Sequence, residues 1–535
     1  MRAYYRLTSR VLRDEERILS FCACITDLRR EYCAMKNKPM KSIAKRIVTY
    51  ILFLIILALT AGFFFRAFTP DDGNYVLPRD FYRKDKDRFD VLFLGTSKIK
   101  QGVFPMTLYN EYGISSYNLG TGDQTAALSY YVLKDAIERQ HPKLVVLEVG
   151  MGDYKTTYEG TEDLHYITDN MPFFSKSRYE MIRDVGKEDD DLIRFLFPWY
   201  EYHSRWTNLT EEEVVHEESG AAYGSWILAQ GRDSGYFEPV APDTTYELPE
   251  IVTEYMEKTM QLCEETGTKL VFLTLPVFGP GLLTDNLYPQ RINESYAVER
   301  FANAHNLTCL NLIDKTTSLG LDCTTDTLDG MHLNLSGAEK FSAVLGKELK
   351  GLCDLPDRRE EQGYAFLEKD YESYLHFRAR QSLATDNRTA SYFARMLETY
   401  DTDNYLYVFV ASGDTTPSMT DTVKASLKAL GLANVDSAAG DHAYIAVIDR
   451  GNVVYETSDF SLTSDLYEEK VDGVSVLALS RSAEEGSGSQ IIVDLNNYDL
   501  QGPGLNVVVF DRESGKKVDA SYVAGDEILH KYGEE

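Results

Sequence analysis

The sequence predicts an α/β fold: a doubly wound parallel sheet preceded by a transmembrane helix and followed by a mostly β, sandwich-like domain. Three observations predict it. Residues 47–65 carry no charge; short apolar runs then alternate with helical stretches as far as about residue 350; and beyond residue 386 apolar runs follow one another with turns between them. Since 535 residues exceed what one hydrophobic core usually serves, we expect at least two domains.

The N-terminal arm, residues 1–46, is basic, with twelve Lys or Arg against five Asp or Glu. The nineteen uncharged residues after it match the roughly 20 that a spanning helix needs. A signal peptide is the competing interpretation, but its apolar core usually has about 7–15 residues and a small-residue cleavage site, whereas this run ends in three Phe. We expect an uncleaved single-pass helix over 47–66 with the arm in the cytoplasm and the later domains outside.

Met35 or Met40 is expected to be the native start, because Met35 opens a conventional basic stretch. The formal net charge of −29 argues against nucleic acid as the partner, since phosphate contacts need an excess of Lys and Arg.

Residues 67–88 are polar and contain proline, which indicates a membrane-proximal linker. An α/β domain over 89–355 follows, because apolar strands alternate there with helical stretches, the pattern of a parallel sheet covered on both faces. The predicted strands are 89–94, 116–120, 144–149, 269–275 and 309–313.

A long insertion, about residues 154–245, separates the third and fourth of these strands and is expected to cap the carboxyl edge of the sheet. It contains His203 and Arg205 close to two tryptophans. Arg205 is a candidate for holding a phosphate or carboxylate of an anionic substrate, with His203 beside it. The alternative is an arginine stacked on a tryptophan in a packed helix. No histidine spacing in the insertion indicates a metal, and none is assigned.

The α/β domain is expected to end with an amphipathic helix over 336–349. A charged segment and a helix at 356–385 then form a linker. Residues 386–535 are predicted as a separate β-rich domain interrupted by one helix, Thr420 to Leu430.

Four cysteines follow the apolar run, which is too few for a disulfide scaffold in so long a segment. No CxxC pair occurs among them, so a zinc site of that type is not expected. Cys263 and Cys309 lie beside apolar strands and are interpreted as small buried hydrophobic residues.

Candidate chemistry begins at the run FDVLFLGTS, residues 89–97, where a buried strand stops at Gly95 and leaves Ser97 on the turn. A serine in this position is most often a helix cap. Asp329 and His332 follow the last predicted strand and return to the same carboxyl edge of a doubly wound sheet. An acid and an imidazole three residues apart suit a base and its orienting carboxylate, which makes Ser97 a candidate nucleophile.

Together these pieces resemble the SGNH/GDSL hydrolase superfamily over about residues 89–350. Its Gly-Asp-Ser block is similar to Gly95-Thr96-Ser97, with Thr in place of Asp, and its Asp-x-x-His block is met by Asp329 and His332. The resemblance implies an SGNH-like α/β fold, no cofactor, and a Ser-His-Asp mechanism. Ser97 would attack an acyl carbonyl, His332 would transfer the proton, and Asp329 would hold the imidazole tautomer.

One block departs from that pattern. Hydrolases of the superfamily carry Gly-x-Asn-Asp where this chain reads Gly150-Met151-Gly152-Asp153, so the Asn that donates to the oxyanion is missing. Loss of one such donor costs roughly 10²–10³ in rate. The backbone N–H groups of Ser97 and Gly120 are the remaining candidates, with the side-chain amide of Gln124 as a substitute. Gln124 as a first-turn helix residue is an equal alternative.

The membrane anchor, the stretch YNLGTG at 117–122 and the sequence DGMHLN at 329–334 resemble the membrane-anchored branch, which includes teichoic-acid D-alanyl transfer and surface-glycan O-acetylation proteins. That branch implies an extracytoplasmic O-acyltransferase acting on a cell-surface polysaccharide or teichoic acid, with a membrane-bound O-acyltransferase as partner. A carbohydrate esterase and a catalytically weak glycan-binding surface protein are the two alternatives.

The C-terminal domain has a resemblance of its own. Residues 443–448 (AYIAVI) and 504–511 (GLNVVVFD) are similar to the interleukin-like EMT inducer, or PANDER-like, domain. Since a domain of this fold binds sugar in a glycosyltransferase, the resemblance implies glycan binding for 386–535. The usual Arg before the Gly-x-Asn run is Pro503 here, and an inert spacer is the alternative.

Overall fold

The structure is a computed structural model. It describes residues 42–70, 73–149, 161–186, 194–195, 199–202, 204–205, 221–222, 225–226, 231–400, 404–498, 504–512 and 515–530. Two compact units divide the chain: one takes residues from 1–79 and 157–219, and the other takes residues from 80–156 and 220–535.

The smaller unit is helical. Its helices are Ser42–Phe68, Thr161–Thr168, Lys176–Val185 and Trp199–Tyr202. A buried carboxylate, Asp169, organises part of it by accepting hydrogen bonds from Tyr202 Oη at 2.7 Å and from His165 Nδ1 at 2.9 Å. His165 also stacks on Phe195, with ring centroids 4.3 Å apart. His165, a histidine of the predicted insertion, therefore lies buried inside a packed helical cluster, bonded to Asp169 through Nδ1.

The apolar run 47–65 lies within helix Ser42–Phe68. Over the part of the chain that the structure describes, no helix is long and apolar enough to cross a membrane. The transmembrane helix predicted over 47–66 is thus not confirmed.

The α/β core contains a five-stranded sheet and a short separate hairpin. Its strands are β1 (Val91–Leu94), β2 (Ser116–Asn118), β3 (Leu144–Glu148), β6 (Lys269–Thr274) and β7 (Thr308–Asn311), and the hairpin is β4 (Ala221–Ala222) with β5 (Ser225–Trp226). The helices of this core are Ser97–Gly102, Pro105–Tyr112, Ala126–Gln140, Glu250–Thr266, Tyr288–Ala304 and Leu335–Leu352.

All neighbouring strands of the five-stranded sheet pair in parallel, in the order β2-β1-β3-β6-β7. The doubly wound parallel sheet predicted from the sequence is confirmed. In this order the winding direction reverses between β1 and β3, and such sheets bind ligands in the crevice beyond the carboxyl ends of the strands at that point. The topology therefore places the turn after β1 at the expected position of a site.

Both segments predicted as linkers contain ordered structure. Helix Gly73–Arg83 occupies part of 67–88 and buries Phe81, which packs on Phe89 and Tyr117. Downstream, the guanidinium of Arg358 donates to both carboxylate oxygens of Asp90 at 2.7 and 2.8 Å. The helix expected in the second linker is found at Ala365–Thr385 and buries Leu367, Tyr374 and Phe377 in the α/β core.

The C-terminal strands form one ten-stranded sheet. They are β8 (Tyr405–Ser412), β9 (Ile445–Asp449), β10 (Asn452–Glu456), β11 (Ser464–Val471), β12 (Val474–Arg481), β13 (Gly488–Val493), β14 (Asn496–Asn497), β15 (Gly504–Asp511), β16 (Lys516–Ala524) and β17 (Glu527–His530). Helices Thr389–Tyr400 and Asp421–Ala429 accompany them.

Strand β8 is buried along its whole length. On one face, Tyr407 and Phe409 share a core with the two helices. On the other face, Leu406 and Val408 share a core with inward residues of β12 and β13. Strand β12 also pairs with the end of β8, where Arg481 lies opposite Ser412. The prediction of a large C-terminal β structure is confirmed, with strands folded over β8 on one side and helices on the other; the described part of 386–535 has two α-helices where the sequence predicted one.

Buried polar contacts join helix Thr389–Tyr400 to the C-terminal strands. Tyr392 Oη donates to Asp519 at 2.8 Å, and the ring nitrogens of His530 meet Asp519 and the carbonyl of Asp386, each at 2.9 Å. Burial lowers the pKa of His530, but these hydrogen bonds outweigh it and hold the pKa above its ordinary value. With an acceptor at both nitrogens, the imidazolium is the favoured form.

All four cysteines after residue 70 are free thiols. Burial raises the pKa of Cys263 and of Cys309 to about 12, so neither is a reactive thiolate at neutral pH. Cys263 is buried, which agrees with its interpretation as a small buried hydrophobic residue, whereas Cys309 is half-buried.

Candidate active site

The turn after β1 requires glycine at position 95. Its φ is +148°, a conformation that other residues rarely adopt, and a Cβ there would lie 2.6 Å from Cβ of Glu148. Thr96 caps the following helix by accepting from the backbone N–H of Lys98 at 3.3 Å. Ser97 is the first residue of that helix and is half-buried. The serine is thus held on a tight turn at the end of a buried strand, as the sequence predicts.

The structure brings Ser97, His332 and Asp329 into one hydrogen-bonded series, although Ser97 and His332 are 235 residues apart in the chain. Ser97 Oγ lies 2.7 Å from Nε2 of His332, and Nδ1 of that ring lies 2.7 Å from Oδ2 of Asp329. An ionised carboxylate can only accept, so Nδ1 carries the proton and Nε2 is left as an acceptor for the serine hydroxyl. This is the tautomer in which a histidine can act as general base.

Asp329 remains ionised because of the turn it begins. Its Oδ1 accepts the backbone N–H groups of Met331 at 3.0 Å and of His332 at 2.8 Å. Burial raises the pKa of Asp329, but the hydrogen bonds and charge of His332, with the backbone donors, outweigh it and hold the pKa below its ordinary value. One oxygen therefore fixes the turn while the other orients the imidazole.

Contacts from two other segments hold this turn in place. Thr327 Oγ1 donates to the carbonyl of His332 at 2.9 Å and accepts from Gly330 N at 2.8 Å. The backbone N–H of Leu282 donates to the carbonyl of Asp329 at 3.0 Å, and that of Arg232 donates to Thr327 at 2.9 Å. The end of the predicted insertion therefore lies against the turn that carries the acid and the base.

A carboxylate and an ammonium that the sequence did not single out lie beneath the nucleophile. Glu148, the last residue of β3, accepts the backbone N–H of Thr96 at 2.9 Å. Its other oxygen lies 3.2 Å from Nζ of Lys98, and the two side chains are 0% and 4% exposed. The signal available in the sequence was a charged residue closing an apolar strand, LVVLE.

The expected oxyanion donors beside Ser97 are engaged elsewhere. The N–H of Gly120 donates to Oδ1 of Asn118 at 2.9 Å, because the two residues form a short side-chain turn. Gln124 is 1% exposed, and its amide donates to Ser129 and accepts from Thr121, each at 3.0 Å. Both groups therefore already have partners within the protein, and the oxyanion role expected for Gly120 and Gln124 stays a prediction. The block Gly150–Asp153 lies outside the described residues.

Asn118 instead supports the nucleophile helix. Its amide nitrogen donates to the carbonyls of Ile99 at 2.7 Å and Val103 at 2.9 Å, and the residue is 0% exposed. In the sequence, Asn118 stands out only as part of the stretch YNLGTG at 117–122. Its role follows from the parallel pairing of β1 with β2, which places the end of β2 beside the helix.

The candidate substrate residues of the insertion are not brought to this site by any described contact. Arg205 belongs to the smaller unit and donates to the carbonyl of Phe68 at 2.6 Å. His203 lies outside the described residues. In the larger unit, hairpin strand β5 contacts helix Ser97–Gly102. No group of His, Cys, Asp and Glu side chains within the described part of the chain could hold a metal ion.

No protein-family model matches the sequence, and no curated protein matches it. Solved structures do match in shape. A lipase/acylhydrolase from Enterococcus faecalis is 13% identical over 50% of this chain and 97% of its own, with a TM-score of 0.23. TesA is 12% identical over 49% and 98%, with a TM-score of 0.25. A gut microbial diltiazem-metabolizing enzyme is 11% identical over 74% and 57%, with a TM-score of 0.26. None of these three structures is more than 13% identical to this chain.

Proposed function

We propose that this chain is an SGNH-type serine acyltransferase that moves an acyl group through Ser97 to a hydroxyl of a cell-surface polysaccharide or teichoic acid. One observation carries the proposal: the series Ser97–His332–Asp329, in the base-competent tautomer, lies at the topological switch point of a parallel sheet. A hydroxyl so placed can attack an acyl carbon, because the adjacent imidazole accepts its proton.

The two half-reactions use the same groups. Ser97 Oγ bonds to the acyl carbon as its proton passes to His332 Nε2, and the donor's C–O or C–S bond breaks as its leaving atom takes that proton. The acceptor hydroxyl then gives its proton to His332 and attacks the acyl-serine, and the Ser97 ester bond breaks with return of the proton to Oγ. Asp329 stabilises the imidazolium in both steps. Water as acceptor gives hydrolysis, which is the esterase alternative.

Fluorophosphonate labelling of the full chain tests the nucleophile. We expect labelling of the wild type and of Ser426→Ala, a change of a half-buried serine on a helix of the C-terminal domain. Ser97→Ala and His332→Ala should lose labelling. Equal labelling of Ser97→Ala and wild type would refute the assignment.

Transfer and hydrolysis are separated by what the acyl-enzyme reacts with. After acylation with p-nitrophenyl acetate, added polymer fragments should shorten the lifetime of acyl-Ser97 and gain acetyl ester groups detectable by mass spectrometry. If water is the natural acceptor, the lifetime stays unchanged and only acetate forms.

The cellular setting of the proposal is supported by the sequence. The basic arm 1–46 and the uncharged run 47–65 support a single-pass protein with its later domains outside the cell membrane. One helix cannot carry an acyl group across a bilayer, so the donor would come from a membrane-bound O-acyltransferase. Co-purification with such a partner from detergent-solubilised membranes is the test.

A catalytically weak, glycan-binding protein is the second candidate. It is favoured by the oxyanion donors, since Gly120 N–H and the Gln124 amide already have acceptors within the protein. The resemblance of 386–535 to a sugar-binding fold is its other support. This candidate predicts polymer binding without fluorophosphonate labelling.

A further inference from the structure

The buried ion pair beneath the nucleophile has no role in the reaction as written above. Lys98 follows Ser97 directly in the chain, and its ammonium lies 3.2 Å from Glu148 in surroundings closed to solvent. Taking two charges out of water is costly and is repaid only by good geometry and further hydrogen bonds. A pair of this kind next to a candidate nucleophile therefore calls for an explanation.

We infer that Glu148 and Lys98 are positioning residues for Ser97. The carboxylate fixes the turn that presents the serine, and the ammonium neutralises the carboxylate so that it does not oppose the negative charge formed on the substrate. This inference rests on the proposed function, because it gives the pair a task in acyl transfer.

The hydrogen bonds of the turn support the first half of the inference. The backbone N–H of Thr96, just before Ser97, donates to the Glu148 carboxylate. The backbone N–H of Lys98, just after Ser97, donates to the side-chain oxygen of Thr96. Within the described part of the chain no acceptor meets the N–H of Ser97. Fixing both neighbouring amides fixes the direction of the one between them, so Glu148 preorganises the N–H of Ser97 as a donor at the nucleophile.

Charge supports the second half. An oxyanion at Ser97 would form at a distance on the order of 7 Å from the Glu148 carboxylate, and at an effective dielectric constant of ~20 the repulsion of an unneutralised carboxylate is equivalent to a roughly 50-fold loss of rate. The ammonium of Lys98 cancels most of that repulsion. A neutral hydrogen-bond acceptor at position 148 would avoid the repulsion as well. Removing both charges should therefore restore most of the rate that is lost when Lys98 alone is replaced.

The variants are Lys98→Met, Glu148→Gln and the two combined, with kcat measured per active site titrated by the p-nitrophenol burst. Lys98→Met should lower kcat about 50-fold with KM within about twofold. The double variant, which keeps an oxygen for the Thr96 N–H but has neither charge, should recover to within about fivefold of wild type. Glu294→Gln breaks the equally buried pair Arg291–Glu294 on another helix and should leave kcat per active site unchanged.

Two outcomes of the kinetics would overturn the electrostatic half: wild-type kcat per active site in Lys98→Met, or a double variant slower than either single change. A kcat loss in Glu294→Gln as large as that in Lys98→Met would also overturn it, since any broken buried pair would then suffice.

Hydrogen exchange separates failure of this inference from failure of the proposed function. The peptide covering 91–102 should exchange as in wild type in Glu148→Gln, and its Thr96 amide should exchange at least tenfold faster in Glu148→Ala. If the wild type is inactive but the Thr96 amide exchanges faster in Glu148→Ala, Glu148 positions the turn and the proposed acyl transfer is wrong. If Glu148→Ala exchanges like Glu148→Gln, the positioning role is wrong whatever the activity.

Discussion

Replacing Asp329 with Asn should damage catalysis through the tautomer of His332. The carboxylate makes two kinds of contact: Oδ1 accepts two backbone N–H groups, and Oδ2 accepts from Nδ1 of the ring. In the variant the amide oxygen is retained by the two backbone donors, so the NH₂ group faces Nδ1. That arrangement forces the proton onto Nε2, where it can no longer accept from Ser97.

The size of the effect follows from the cost of escaping this arrangement. The amide can flip to place its oxygen toward Nδ1, but its NH₂ group then faces the backbone N–H groups of Met331 and His332. Leaving two partly buried donors unsatisfied costs about 1–3 kcal/mol each, or about 2–6 kcal/mol together. Since 1.36 kcal/mol is tenfold in rate, we expect a loss of roughly 10²–10⁴, which spans the ~10⁴ typical of this change in a Ser-His-Asp triad.

The assay is the rate constant of acylation by p-nitrophenyl acetate, read from the burst of nitrophenol. Asp322→Asn is a matched control, because Asp322 is an exposed turn carboxylate that accepts from the backbone and side chain of Thr324 at 2.7 and 2.6 Å. The control should acylate within twofold of wild type. Asp329→Asn acylating within tenfold of wild type, with an unchanged melting temperature, would refute the tautomer argument.

Three further changes test the framework of the site and of the C-terminal domain. Gly95→Ala should lower the free energy of unfolding by about 2–4 kcal/mol, since its Cβ would lie 2.6 Å from a neighbouring side chain at φ +148°; an unchanged urea midpoint would contradict this. Asn118→Ala should cost about 2–4 kcal/mol, because two buried carbonyls of the nucleophile helix lose their donor, and it should speed hydrogen exchange in 97–104; unchanged exchange would argue against a bracing role. The raised pKa of His530 contributes stability that is fully present below the unfolded-state pKa of about 6.5 and is lost as pH rises through the folded-state pKa, so His530→Gln should be more destabilising at pH 5.5 than at pH 9; equal effects would contradict the imidazolium assignment.

Several of the strands that the sequence predicted are buried along their whole length. Strands β1, β3 and β8 are covered on both faces, so their sequences are nearly continuous apolar runs. Surface loops do not have such runs. Strand β11 (SDLYEEKV), which was not predicted, has exposed residues at Ser464, Leu466 and 468–470 and half-buried ones between and after them, a pattern that also occurs in polar turns. This segment is a strand because it pairs with β12 along its whole length. The sequence of one segment does not show which other segment it pairs with.

The proton-transfer half of the site was predictable for a local reason. Asp329 and His332 are three residues apart on one turn, so the sequence already fixes their geometry. The same holds for Ser97, whose exposure at the strand end follows from Gly95. Only the proximity of Ser97 to Asp329 and His332 depends on the fold. It follows from the rule that the carboxyl ends of parallel strands lie at one edge of the sheet.

The charge-stabilising half depends on register between strands, which a single sequence does not contain. Strand β1 pairs with β3 so that Leu94 lies opposite Leu147, and the next residue of each strand brings Gly95 beside Glu148. The absence of a Cβ at Gly95 lets the carboxylate reach the Thr96 amide, and Lys98 is then the nearest cation that can neutralise it. The same parallel pairing places Asn118 under the nucleophile helix, where its amide nitrogen braces the helix and its Oδ1 engages the Gly120 N–H. One side chain makes both contacts, so a variant that frees the Gly120 amide by removing Asn118 should also loosen the nucleophile.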